Sequence, residues 1–335
     1  MSNAPNEIRT DPRPDCFLCG TSGKPLYQDL PSALFETAGR WSFSQCPQAN
    51  CGLVWLNPMP LEADLHRAYE TYFTHADDGN SAKAGFNLRD ILYGAYRTAN
   101  YPGWLLSGIA REKSRWSRMF LDDISGGKIL DVGCGDGRFL SRMHARGWTV
   151  DGIDFDAQAI ATVKQKYGLH LRHGNLLKAG LEANSFDAVT MSHVVEHLPD
   201  PIAFVNEIHR ILKPGGRFVA TTPNADGLGH KKFGQHWWGL DAPRHLHVFS
   251  AASLAEVGRR GGFTNVKISS TSANADVFIG ASYTVQENPN HRMGHSPTPS
   301  VLRTLKAAAW QFREHSRLSS DPNCGEELVL TCVKA

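Results

Sequence analysis

At 335 residues, 41% hydrophobic, the chain is long enough for one large α/β domain plus a small module around a filled core. Its 35 basic and 33 acidic side chains nearly cancel at +2, which excludes a global positive field drawing it to nucleic acid or anionic lipid. No stretch approaches the roughly 18 apolar residues of a membrane span, and the N-terminus "MSNAPNEIRTDPRPD" lacks the apolar core of a signal peptide, so a cytoplasmic location is expected.

Residues 1–58 hold four of the seven cysteines, as C-x2-C (Cys16, Cys19) and C-x4-C (Cys46, Cys51). Two such pairs joined by turn-forming and short β-like runs predict a small zinc ribbon. A closed set of four thiolates points to structural zinc. Residues 59–120 carry helix-like apolar spacing in "LHRAYETYF" and "REKSRWSRMFLDDI", and read as a helical linker and lid. Tyr69 and Tyr72 lie in the first of these runs.

From residue 121 to the C-terminus strands and helices alternate, which predicts a doubly wound, mostly parallel α/β sheet. Seven strands are expected at "KILDVG", "TVDGIDF", "LHLRHGN", "FDAVTMS", "GRFVATTPN", "FTNVKISSTS" and "EELVLTCVKA". Residues 280–325, with one helical run "SVLRTLKAAAWQFREH", read as an insertion before the last strand.

"LDVGCGDGRFL" places Gly133, Gly135 and Gly137 where the first strand turns into a helix, whose N-terminus offers unpaired N–H groups. The spacing is G-x-G-x-G, preceded by Asp131, and departs from the dinucleotide G-x-G-x-x-G. An acid there repels pyrophosphate and suits an ammonium group, while Asp154 ends the second strand where a carboxylate takes both ribose hydroxyls. Asn175, after the third strand, can meet a base edge. Adenosine carrying an amino acid is the ligand these groups suit.

These motifs, with "HGNLL", "FDAVTMSHVVEHLPDP" and "ILKPGGRFVATTPN" following in order, resemble the class I S-adenosylmethionine-dependent methyltransferases, with their Rossmann-like fold. The resemblance implies that Asp131 and the glycines hold the methionine part, Asp154 the ribose, and Asn175 with Leu176 the adenine, Ser192 also lying on the cofactor side. Family members often have Asp where Asn175 stands.

The spacing of His193, Glu196 and His197 is H-x-x-E-H, that of an inverted zinc-protease helix. Pro199 and Pro201 deny the segment a long helix, and a strand precedes it. His193 instead falls at the ligand-binding end of a strand, facing the transferred methyl or its acceptor, with Glu196 and His197 at the pocket floor. Some small-molecule O-methyltransferases of this class bind a divalent ion near this segment, which leaves metal use open.

Residues 225–250 include "GHKKFGQHWWGLDAPRHLHVFS", an aromatic, histidine-rich loop that reads as a lid over the acceptor. Its "RHLHVFS" is similar to the "EHLSYFS"-type segment of bacterial sugar C-methyltransferases, which also carry a four-cysteine zinc module. The comparison implies His245 as general base with Tyr72 as partner, although Arg244 stands where those enzymes have glutamate. The expected function is methyl transfer from S-adenosylmethionine to a small-molecule or saccharide acceptor, oxygen before carbon. The alternatives are a ribosomal- or transfer-RNA methyltransferase with a zinc module and a non-catalytic S-adenosylmethionine-binding interaction protein. The charge balance speaks against the first, and the intact glycine loop against the second.

Overall fold

The computed structural model describes residues 8–32, 39–69, 88–288 and 300–335. The N-terminal part runs through β1 (Thr10–Asp11), β2 (Lys24–Pro31), β3 (Arg40–Gln45), β4 (Val54–Leu56) and β5 (Met59–Pro60). A 3-10 stretch, Glu62–Tyr69, follows, and then the helices α1 (Leu88–Ser107) and α2 (Ile109–Trp116). Tyr72, and with it the second half of the run "LHRAYETYF", lies outside the described residues.

The remainder alternates. It comprises β6 (Gly127–Val132), α3 (Arg138–His144), β7 (Trp148–Asp154), α4 (Ala157–Tyr167), β8 (Arg172–His173), β9 (Phe186–Ser192), α5 (Pro201–Ile211) and β10 (Leu212–Pro223). Then come α6 (Leu228–Phe233), β11 (His247–Val248), α7 (Ala251–Arg260), β12 (Asn265–Thr271), α8 (Ala275–Glu287), α9 (Val301–Arg317) and β13 (Glu327–Val333). Capping explains several boundaries. Asp156 accepts from the Gln158 and Ala159 amides to open α4, and Asp200 accepts from Ala203 with Pro201 at the first helical position of α5.

The expected seven-stranded sheet is present, in the order β12-β13-β10-β9-β6-β7-β8. Strands β10, β9, β6, β7 and β8 pair in parallel, while β13 runs antiparallel between β10 and β12. The chain builds outward from β6 to β8 and then returns to the other side of β6 with β9. The crevice beyond the carboxyl ends of β6 and β9 is therefore where such a sheet takes a ligand. Because β13 is reversed, its first residue, Glu327, arrives at that same edge opposite Pro223, with Glu326 just before it.

A second sheet has the order β11-β4-β3-β2. Its first strand comes from the lid segment some two hundred residues after the other three, so this sheet is shared between two distant parts of the chain. Cys16, Leu18, Cys46, Leu53 and Trp55 pack in one buried cluster with Phe249, Leu254 and Val257 beside α7. Ser250 caps α7 by accepting from the Ser253 amide, and its hydroxyl donates to the Cys51 carbonyl. We expect Ser250→Ala to lower unfolding free energy by about 1–2 kcal/mol through the lost cap. Urea titration checks this; a change below about 0.3 kcal/mol would contradict the capping role.

Candidate active site

A cavity of about 800 Å³ opens at the carboxyl edge of the large sheet. Its lining combines the sheet edge with the 3-10 stretch (Glu62, Leu65, His66, Tyr69), Trp116 of α2, and the lid residues Trp238, Asp241, Arg244 and His245. The sheet supplies Gly133, Gly135, Asp154, Asn175, Leu176, Ser192 and His193.

The glycine loop has two separate reasons for its composition. A Cβ at Gly133 would sit 2.4 Å from Cγ2 of Val194, with φ at +72°, so the loop closes onto the β9 turn only without a side chain. Gly135, φ +49°, has open space where a Cβ would be, leaving its backbone accessible from the cavity. Its N–H donates to Oδ2 of Asp154 at 2.8 Å, while Oδ1 of Asp154 accepts from the Asp156 amide at 3.0 Å. Burial raises the Asp154 carboxyl above its usual range, against those amide bonds. Each oxygen keeps a lone pair for a further donor. Asp131 is buried beneath the loop and is not among the cavity-lining residues. Thr190 donates to its Oδ1 at 2.6 Å, and burial, with nearby Asp154 adding to it, pushes its carboxyl up to about 7. Asn175 Oδ1 accepts from the Leu177 amide at 2.9 Å, which directs its NH2 as the donor available to a ligand.

His193 occupies left-handed backbone, φ +53°, at the cavity floor. Its Nδ1 lies 3.2 Å from Oε1 of Glu196 and its Nε2 2.7 Å from Oε1 of Glu327. Both carboxylates are wholly buried. Desolvation alone would lower the imidazole, but the two carboxylates outweigh it and lift His193 to about 10, and Glu196 is held down at about 2. Both ring nitrogens thus face buried carboxylates, a setting that favours the imidazolium with both N–H groups donating.

His245 Nδ1 donates to the Gly239 carbonyl at 2.8 Å, which directs Nε2 to a position 3.7 Å from Oδ2 of Asp241 and 4.0 Å from Oε1 of Glu196. His197 is arranged in the same way, donating from Nδ1 to the Arg244 carbonyl at 2.9 Å, and burial lowers it to about 4. The ligand atoms of Glu196, His197 and His245 lie within 4.8 Å of one another, a donor set able to hold a divalent ion. Arg244 is buried and paired with Asp241, at the cavity wall.

In the N-terminal part, Sγ of Cys16 lies 3.6 Å from Cys51 and Sγ of Cys19 lies 3.4 Å from Cys46, with all four within 4.8 Å. Tetrahedral zinc with Zn–S of about 2.3 Å sets sulfurs about 3.8 Å apart, so the four thiols fit that ion.

Glu327, Asn274 and Trp116 escaped sequence reasoning. The available signal was the adjacent pair Glu326–Glu327 opening an otherwise apolar strand, a position where a carboxylate needs partners.

Residues 108–268 match the family model described as "Methyltransferase domain". A probable S-adenosylmethionine-dependent methyltransferase from Mycolicibacterium smegmatis is 34% identical over 143 residues, 42% of this chain and 52% of that protein. A ubiquinone biosynthesis O-methyltransferase from Pseudomonas syringae pv. tomato is 36% identical over 108 residues, 30% of this chain and 47% of that one. Among solved structures, a Thermotoga maritima S-adenosylmethionine-dependent methyltransferase, possibly acting on histamine nitrogen, superposes with TM-score 0.45 at 16% identity, covering 71% of this chain and 97% of its own. With its strand order and glycine loop, this region belongs to the S-adenosylmethionine-dependent methyltransferases. The chain spans about half the length of the curated relatives it matches.

The His193 clamp carries a pH signature. Its raised value means that its contribution is complete below about 6.5 and is lost as pH rises through about 10, whereas that of Glu196 is present above about 4.5 and lost as pH falls through about 2. His193→Asn, which tolerates left-handed backbone, strands two buried carboxylates and should cost about 3 kcal/mol at pH 7. Urea titrations at several pH values should show the wild-type advantage shrinking toward pH 10; an advantage that grows with pH contradicts the imidazolium.

Proposed function

We propose that the chain transfers the methyl group of S-adenosylmethionine to an oxygen of a small-molecule or saccharide acceptor, with His245 as the general base. The observation that carries this reading is the division of one cavity into two chemically distinct ends. At the sheet edge stand Gly135, Asp154 and Asn175, which suit a cationic amino acid joined to a nucleoside; at the lid stands His245, tied to the Gly239 carbonyl through Nδ1, with Nε2 as the nitrogen we assign to the acceptor proton. Buried Asp131, beneath the loop, gains most from a cationic neighbour such as the methionine ammonium.

The sulfonium is an activated methyl donor, so the protein's task is in-line placement and removal of the acceptor proton. The acceptor O–H proton passes to His245 Nε2 as the oxygen bonds to the methyl carbon. The carbon–sulfur bond breaks with its electron pair on sulfur, giving S-adenosylhomocysteine. The walls at that end, Tyr69, Trp116, Trp238 and Phe278, offer aromatic faces that exclude water and suit a ring-shaped acceptor. An oxygen acceptor agrees with the O-methyltransferase name of one relative.

His245→Ala should lower turnover at least about 100-fold while S-adenosylmethionine affinity by calorimetry stays within about 3-fold; retained turnover removes His245 from the mechanism. Asp154→Ala should instead weaken that affinity at least about 10-fold, since two ribose bonds are lost. The acceptor is found by supplying isotopically labelled methyl donor to metabolite and glycan extracts and isolating the labelled product.

The grouping of Glu196, His197 and His245 favours one second reading, in which the three hold a divalent ion that polarises the acceptor hydroxyl. Equilibrium dialysis with manganese separates the two: one bound ion lost in His197→Ala supports the ion, and no binding supports the free base.

A further inference from the structure

We propose that the four-cysteine ribbon is a working part of the acceptor half of the cavity, so that zinc at its cysteines controls the placement of His245 and leaves the S-adenosylmethionine half undisturbed. The functional side of this inference rests on the reading of His245 as the base; the physical coupling does not.

Strand β3 runs directly into Cys46, and β4 begins three residues after Cys51. The Cys46 N–H donates to the Leu53 carbonyl at 2.8 Å, so the second cysteine pair closes the turn between these strands. The outer edge of β4 is completed by β11, in the register His247 to Trp55 and Val248 to Val54. One residue earlier, the Leu56 N–H donates to the Leu246 carbonyl at 3.0 Å. The Leu246 N–H donates in turn to the Glu196 carbonyl at 2.9 Å. Leu246, the residue after His245, is thus bonded on one side to the ribbon and on the other to the turn carrying Glu196 and His197.

Further ties reach the cysteine loops themselves. The Ser250 hydroxyl donates to the Cys51 carbonyl, the Arg260 guanidinium donates to the Leu18 carbonyl, and the Phe17 and His247 rings lie 4.9 Å apart. The ribbon's exit also forms cavity wall. Asp64 accepts from the backbone and guanidinium of Arg9 at 2.7–3.0 Å, fastening the 3-10 stretch that presents Glu62, Leu65, His66 and Tyr69 to the cavity.

The cofactor side is fastened differently. Gly135, Asp154 and Asp156 bond to one another, and β6 is held between β7 and β9. A short-stranded ribbon with four cysteines at its turns depends on its metal for order. Cys16, Cys46 and Cys51 share one buried apolar cluster with Val132 of β6 and Met191 of β9, but β4 is tied to Leu246 by a backbone hydrogen bond, so loss of zinc releases β4 and the Leu56 to Leu246 bond before it reaches β6.

The test is amide hydrogen exchange on the full-length reduced protein, zinc-loaded and after chelation, with S-adenosylhomocysteine affinity measured on both. Chelation should speed exchange at Leu56 and Leu246 at least about 10-fold, leave Val132 and Met191 within about 2-fold, and change the affinity less than about 3-fold. Phe17→Ala, which keeps all four cysteines, should retain one zinc and speed exchange at Leu246 by about 3-fold. Unchanged protection at Leu246 after zinc loss overturns the proposal. So does equal acceleration at Val132, or an affinity loss matching the exchange change, because the two halves are then not separable. None of these readouts needs an acceptor, so failure of the methyl-transfer reading and failure of the coupling are distinguishable.

Discussion

Three wholly buried carboxylates, Glu196, Glu326 and Glu327, meet at the carboxyl edge of the large sheet, and the cost of burying unpaired charge dictates much of what surrounds them. Glu327 takes donors from His193, from Trp116 of α2 and from Asn274 at the start of α8. Glu196 takes His193 and the Thr222 hydroxyl. Glu326 takes the Gly229 amide and Trp237 Nε1 from the lid, and burial pushes it up to about 7 beside Glu314, which is raised in the same way. Each demand fixes a different element: α2, α8, β10 and the lid.

The same arrangement gives the cavity two kinds of wall. The cofactor edge is backbone-rich and comes from three consecutive strand ends, so its geometry is inherited from the sheet. The lid edge is assembled from segments remote in sequence, including the loop that runs into β11 and the 3-10 stretch Glu62–Tyr69. Two histidines in one cavity consequently have different partners: His193 lies between two buried carboxylates, whereas His245 is tied to a carbonyl through Nδ1. Their sequences alone make them equal candidates.

Much of the fold was legible because its signals are local. Apolar runs, capping residues and the glycine loop "VGCGDG" determine the strand and helix alternation, and the prolines after His197 rule out the protease helix. Cys16, Cys19, Cys46 and Cys51 announce their grouping through spacing. The placement of Gly135, Asp154 and Asn175 at the cavity was also legible, since they sit at strand ends whose position follows from chain order. Burial beneath the loop, by contrast, sets Asp131 apart from the cavity lining.

What the sequence by itself determined is therefore the doubly wound sheet, the glycine loop at its carboxyl edge and a cysteine-rich ribbon, because each depends on residues near one another along the chain. Tertiary structure alone decided that Glu327 clamps His193, that β11 leaves the lid to pair with β4, and that Leu246 joins ribbon to pocket floor. These contacts join residues far apart in the chain, and the protonation of an imidazole depends on which charges fold against it.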